Sequence, residues 1–259
     1  MTQYSDADAD TRVRPGAAPD GRPAAPRRRW WRSPWGLAAL ALLAAAVVFN
    51  LVYALPRYLQ FNPKLSRIPL DPAFPPHFGV LVVHVVAGNL ALVTMFIQLV
   101  PWIRRNHPRI HRISGLVYMV GGVLPTAALA LVLLPYSTAP IGNVGLFTMA
   151  VLWLGTTAMG YVRIRQHRYA EHRKWMLYSF ALALGTSWGR IISVLEQHFP
   201  AININIEVFL EISGWLGWVV NLALVQIWLE ITAKRVTEAS LVPRRPRKAA
   251  RPAPEGVSS

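Results

Sequence analysis

Six stretches of about 20 apolar residues, each long enough to cross a bilayer, alternate with loops whose positive charge changes side at every crossing. They run over Trp35–Leu55, Phe78–Val100, Ile113–Leu134, Gly142–Val162, Trp175–Leu195 and Val208–Leu229. Lipid offers the backbone no hydrogen-bond partner, so apolar stretches of this length are expected to be helices. The expected fold class is an all-α polytopic membrane protein, a six-transmembrane-helix antiparallel bundle in one domain over residues 35–232.

Basic residues stay on the cytoplasmic side during insertion, which makes the orientation readable. Lys and Arg number seven before Trp35, four over Arg104–Arg112, five over Arg163–Lys174 and seven after Thr232. The opposite loops hold only Arg57, Lys64 and Arg67. Both termini are therefore expected in the cytoplasm. The net charge of +15 follows from this bias and from attraction of the tails to anionic lipid, with no nucleic-acid partner required. Residues 1–34 and 233–259, rich in Pro, Ala and Arg, are expected to be disordered tails. The Arg27–Arg32 cluster before an uninterrupted apolar segment is read as the flank of an uncleaved anchor. Trp30, Trp31, Trp35, Trp102 and Trp175 fall where interfacial aromatics belong. The prolines of Pro56–His77 argue against regular helix there and for a cap over the outer mouth of the bundle.

The chain has no cysteine, which excludes disulfides, thiolate metal sites and cysteine-held iron–sulfur clusters. It also lacks a Gly-x-Ser-x-Gly elbow, a His-Glu-x-x-His pair, a phosphate loop and a dinucleotide fingerprint.

The two cytoplasmic turns resemble each other. With one inserted residue, His107 matches His167, His111 matches His172, and Arg112 matches Arg173, with a tyrosine, Tyr118 or Tyr178, in the helix that follows. Spans two and three thus read as a parallel repeat of spans four and five, an arrangement that would bring His111 and His172 towards each other.

The run from His84 through Gly88 and Gln98, the turn His111-Arg112-Ile113-Ser114-Gly115-Leu116-Val117-Tyr118, and His172-Arg173-Lys174-Trp175-Met176 with Arg190 resemble the bacterial membrane family called domain of unknown function 2306. The resemblance covers about residues 40 to 230. It implies a multi-pass protein of the bacterial cytoplasmic (inner) membrane with no established activity. A weaker likeness is to membrane cytochromes of the cytochrome b561 type, although the four haem ligands of that pattern have no clear second pair here.

Charged groups inside lipid cost several kcal/mol and usually face a bundle interior. His84 lies roughly 9 Å inside the second span, and Arg190 and Glu211 fall in the same outer third of the bilayer. Helical spacing puts His84, Gly88, Ala91, Met95 and Gln98 on one stripe, Ser179, Ala183, Thr186 and Arg190 on another, and Glu211, Gly214, Trp218 and Asn221 on a third. These stripes are expected to meet in a seam leading to a buried polar cluster of His84, Arg190 and Glu211. Its plainer reading is a structural ion pair beside a hydrogen-bonded histidine.

His111 and His172 could instead ligate haem b, with Arg112 and Arg173 near its propionates and Gly115 leaving room one turn away. Their plainer role is interfacial anchoring among arginines. A zinc site from His77, His84 and His198 would depend on how the outer loops fold. Three functions stay open: a haem- or quinone-linked redox protein, a small transporter for protons or an anionic solute, and a non-catalytic scaffold.

Overall fold

The computed structural model describes residues 33–137, 141–199 and 204–241, the last eight of them by backbone alone. Trp30, Trp31, the Arg27–Arg32 cluster and most of both expected tails lie outside the described residues. Every regular element among the described residues is helical. Residues up to Leu43 and residues from Ala44 onward form separate units.

Helix α1, Pro34–Tyr58, begins where Ser33 Oγ accepts the Gly36 N–H at 3.1 Å, with Pro34 at a position that needs no donor. Later come α2 (His77–Leu99), the short α3 (Pro101–Asn106), α4 (Pro108–Leu116), a π-helical segment (Val117–Val123) and α5 (Leu124–Leu133). The chain ends with α6 (Asn143–Arg165), α7 (Tyr169–Ala183), α8 (Ser187–His198) and α9 (Ile206–Leu241). α9 continues into the segment expected as a C-terminal tail.

Among the described residues five helices are long and apolar enough to cross a membrane: α1, α2, the run Pro108–Tyr136, α6 and the Ile206–Ala233 part of α9. The expected fifth span, Trp175–Leu195, is not one helix. It is divided between α7 and α8 by a turn over Leu184, Gly185 and Thr186. Packing against α9 accounts for the break. Gly185 is held so close to α9 that an added Cβ would lie 2.9 Å from Trp218 Cβ and 2.9 Å from Met149 Sδ, while one on Gly217 would collide with the Gly185 carbonyl.

The third helix carries a second irregularity. Pro125 has no N–H to give the carbonyl one turn back, and the ladder widens instead, with Leu124 N–H reaching Met119 O. Here α2 comes very near: a Cβ on Gly122 would sit 2.8 Å from Ala91 Cβ. The stripe His84, Gly88, Ala91 and Gln98 is this contact with the third helix. Gly88 faces Thr126, Gly122 faces Ala91, and Gln98 reaches Ser114.

Mid-bundle, Tyr118 is fully buried and hydrogen-bonded to Ser179 Oγ at 2.7 Å, Trp153 Nε1–H donates to Tyr118 Oη at 3.1 Å, and Thr157 and Ser179 are bonded at 2.7 Å. The Pro56–His77 segment holds a 3-10 turn at Pro63–Leu65, and its Leu70 packs on Ala54, Tyr58, Leu81, Val82 and Val85. His77, expected at the outer surface, is buried at 4% exposure and takes the Asp71 N–H on Nδ1 at 3.0 Å.

These glycine contacts set a test. Gly217→Leu should destabilise the protein by about 2 kcal/mol or more, the cost of forcing a side chain into filled space. Gly155→Ala, where nothing lies within 4 Å of the new Cβ, should be neutral or gain up to about 1 kcal/mol. Thermal unfolding in one detergent compares them, and equal melting temperatures for the two variants would contradict the packing.

Candidate functional site

Asn50 is the deepest polar residue of α1, with no exposed surface. Its Nδ2 donates to the Ala46 carbonyl at 2.7 Å and to Ser187 Oγ at 2.9 Å. Its Oδ1 accepts the Arg190 Nη1–H at 2.6 Å. One turn along α1, Tyr53 faces the same helix α8, and its hydroxyl donates to Ser193 Oγ at 3.4 Å. Gln197 Nε2 continues the chain to Ser193 Oγ at 3.1 Å. Steps of three and four residues on both helices keep these groups on facing stripes, so α1 and α8 meet through polar side chains.

From the outer segment, Arg67 reaches back over this contact. Its Nη1–H donates to Tyr53 Oη at 2.6 Å, and its guanidinium lies 3.9 Å from the Tyr53 ring centroid. The Arg190 guanidinium lies 5.9 Å from the same ring. One tyrosine is thus shared by two guanidinium groups. Arg67 Nε is buried with no partner, and the ion pairs among the described residues are Arg163–Glu171 and Arg168–Glu171, both at the opposite end. His84 adds a third basic group, within electrostatic reach of Arg190, with Nδ1 bonded to the Thr126 carbonyl at 2.9 Å.

Glu211 does not complete the expected cluster. It is exposed, and its Oε1 accepts the Gly142 N–H at 3.3 Å, where Gly142, at φ +81°, precedes α6. A carboxylate is favoured at that positive helix end. The stripe through Gly214 faces α6 there, since a Cβ on Gly145 would lie 2.5 Å from the Gly214 carbonyl oxygen. Arg190 meets Asn50 of α1, whereas Glu211 meets the start of α6.

At the basic end, His111 and His172 lie within electrostatic reach of each other. His172 Nδ1 is bonded to the Gly160 carbonyl at 2.8 Å, and His111 Nδ1 is buried without a partner. The space beside Gly115, where a macrocycle would need room, is taken by Gln98: a Cβ there would lie 3.3 Å from Gln98 Nε2. That amide donates to the His111 carbonyl at 2.5 Å and to Ser114 Oγ at 2.6 Å. Beside Gly160, Met176 Sδ fills the corresponding space. Arg112 is exposed, and Arg173 stands 5.7 Å from the Trp228 ring. Burial, then the nearby Arg173 and Arg105, lower the Arg104 pKa from its usual value, a mark of crowded positive charge.

His107 packs edge-on against Trp102, and His167 occupies a left-handed turn at φ +57°. His77, His84 and His198 do not converge. His77 and His198 have Nδ1 engaged locally, that of His198 with the Val194 carbonyl, and His84 Nδ1 is engaged by the third helix at Thr126. Among the described residues no group of three or more His, Cys, Asp or Glu side chains could hold a metal ion.

Sequence reading missed Asn50, Tyr53 and Arg67. An asparagine in an otherwise apolar first span was the available signal for the first. Arg67 gave none, because its loop position says nothing of where it folds.

The family model described as "Predicted membrane protein (DUF2306)" matches residues 81–229. No curated protein and no solved structure matches, and the likeness to cytochromes of the b561 type finds no support.

The Asn50–Arg190 contact sets a second test. Asn50→Ala should cost about 1–3 kcal/mol by leaving the Arg190 Nη1–H without its acceptor and Ser187 Oγ without its donor. Asn50→Ala combined with Arg190→Leu should cost less than the sum of the single changes, with a coupling of about 0.5–3 kcal/mol in a double-mutant cycle. Strict additivity of the melting shifts would sink the pairing.

Proposed function

This chain belongs to the family of predicted membrane proteins whose model covers residues 81–229, and from that premise we propose that it binds a small anionic solute within the bilayer and moves it across. The observation that carries the reading is the pair of guanidinium groups, Arg67 and Arg190, on one tyrosine with no carboxylate paired to either among the described residues. Two like charges so placed repel, and an anion bound by both is correspondingly favoured. Tyr53 and Asn50 fix the guanidinium planes. His84 lies within electrostatic reach of Arg190 and is fixed by its bond to the Thr126 carbonyl.

The haem reading of His111, His172, Arg112 and Arg173 has less support, since Gln98 and Met176 fill the spaces beside Gly115 and Gly160. The repeat reading is favoured by one contact. Tyr118 and Ser179, each seven residues beyond its histidine, are bonded to each other.

Purified protein at fixed ionic strength, titrated with sodium phosphate and with disodium succinate, should melt higher as at least one anion is added. Arg190→Gln or Arg67→Gln should weaken that anion tenfold or more, since a hydrogen bond to a charged group contributes about 1.5–3 kcal/mol. Glu211→Gln should leave binding unchanged. Uptake of the bound anion into proteoliposomes separates a carrier from a receptor. Absence of any stabilisation by either anion would overturn the proposal.

We further propose that both termini are cytoplasmic in the inner membrane, supported by the basic turns and tails. The native chain has no cysteine, so Lys64→Cys and His107→Cys give clean single labels. An impermeant maleimide applied to whole cells with a permeable outer membrane should label the first, and the second only after lysis. The reverse pattern would invert the topology.

A further inference from the structure

Helix α8 carries Ser187, Arg190 and Ser193, the groups that meet Asn50 and Tyr53 of α1. It is nevertheless separate from α7. At the break Gly185 N–H turns back to the Leu182 carbonyl at 2.9 Å, and Ser187 N–H to the Leu184 carbonyl at 3.1 Å. The Ala181 carbonyl thereby loses its helical donor. In a hydrocarbon setting an unpaired carbonyl costs several kcal/mol, so something else must supply the bond.

Asn221 of α9 does so. Its Nδ2 donates to the Ala181 carbonyl at 3.0 Å, and its Oδ1 accepts the Trp188 Nε1–H at 3.1 Å. A single amide thus ties the last turn of α7 to the first turn of α8. Its place is set one helical turn earlier, where Gly217 meets Gly185 with no room for a Cβ on either residue. Trp188 and Arg190 stand two residues apart on α8, so rotation or tilt that breaks the tryptophan bond also moves the guanidinium relative to Asn50.

We propose that Asn221 is a positioning residue for the Arg190 site: by holding Ala181 and Trp188 together it sets the direction of α8, and a bound anion and the closed Asn221 link favour the same orientation. This rests on the anion reading for its ligand, while the link itself is testable without one. Spin labels on Val208→Cys and His198→Cys in the otherwise cysteine-free full chain report the distance between α9 and the end of α8. Amide exchange reports each helix separately.

Asn221→Ala and Trp188→Phe should each broaden the distance distribution and speed exchange over Ser187–His198 at least tenfold, leaving α2 unchanged. Each should weaken whichever of succinate and phosphate binds the native protein at least fivefold, an effect that disappears in an Arg190→Gln background. Trp188→Phe keeps the Asn221–Ala181 bond, so it carries the test if Asn221→Ala does not fold. Unchanged distances and exchange in Trp188→Phe overturn the link. A loosened α8 with native anion affinity overturns the positioning role. A loosened α8 in a protein that binds neither anion upholds the link and removes the anion reading instead.

Discussion

A backbone in hydrocarbon must satisfy its own hydrogen bonds, and the departures from regular helix in this protein show how it meets that constraint. Where Pro125 removes a donor, the ladder shifts by one residue, Leu124 N–H reaches Met119 O, and Thr126 Oγ1 donates to the Gly122 carbonyl at 2.7 Å. Where α7 ends, Asn221 supplies the missing donor. Where α6 begins, Glu211 accepts an N–H that has no carbonyl. Each irregularity has a polar side chain assigned to it.

The same accounting sorts the polar residues of the spans. Thr94, Thr148, Thr156 and Thr157 return their hydroxyls to carbonyls a turn earlier, a local use that needs no site. Gln98 serves the His111 carbonyl and Ser114. Tyr118, Trp153, Thr157 and Ser179 close a network among themselves and join the third helix to α6 and α7. Arg190 and Arg67 are different, because a tyrosine and an asparagine accept their hydrogen bonds without cancelling their charge.

Five of the six stretches were legible because hydropathy reports long apolar helices, and each lies within or close to one such helix, although α9 runs on to Leu241. The break at Gly185 was not. Between Leu182 and Ile192 the apolar run is interrupted only by the short Gly185-Thr186-Ser187 segment, Gly189 and Arg190, a weak sign by itself, and the contacts that accompany the break lie on α9, in Gly217 and Trp218. Pro125 did signal trouble in the third helix, although a proline alone does not say whether a ladder kinks or widens. In the candidate site, counting residues from span ends assigns His84 and Arg190 an expected depth. Depth concerns only height along the membrane normal and leaves the direction around the bundle free, so it does not say which helix Glu211 meets. Asn50 drew no attention because a neutral amide is a much weaker signal in an apolar span than a charge.

The difference between a structural arginine and a binding arginine lies in what neutralises it. Removing an ion from water is expensive, and a buried guanidinium kept only for packing is most economically matched with a carboxylate or replaced by an apolar residue. Here the acid at similar depth, Glu211, is committed to the start of α6, and Arg67 is brought in beside Arg190 by a loop with no fixed need to place a cation there. Tyr53 holds both by its ring and hydroxyl, an interaction that orients the guanidinium groups but cannot discharge them. Among the described residues neither guanidinium has a carboxylate partner, and the proposed anion would balance them without disturbing any bond described among Asn50, Tyr53, Ser187 and Ser193.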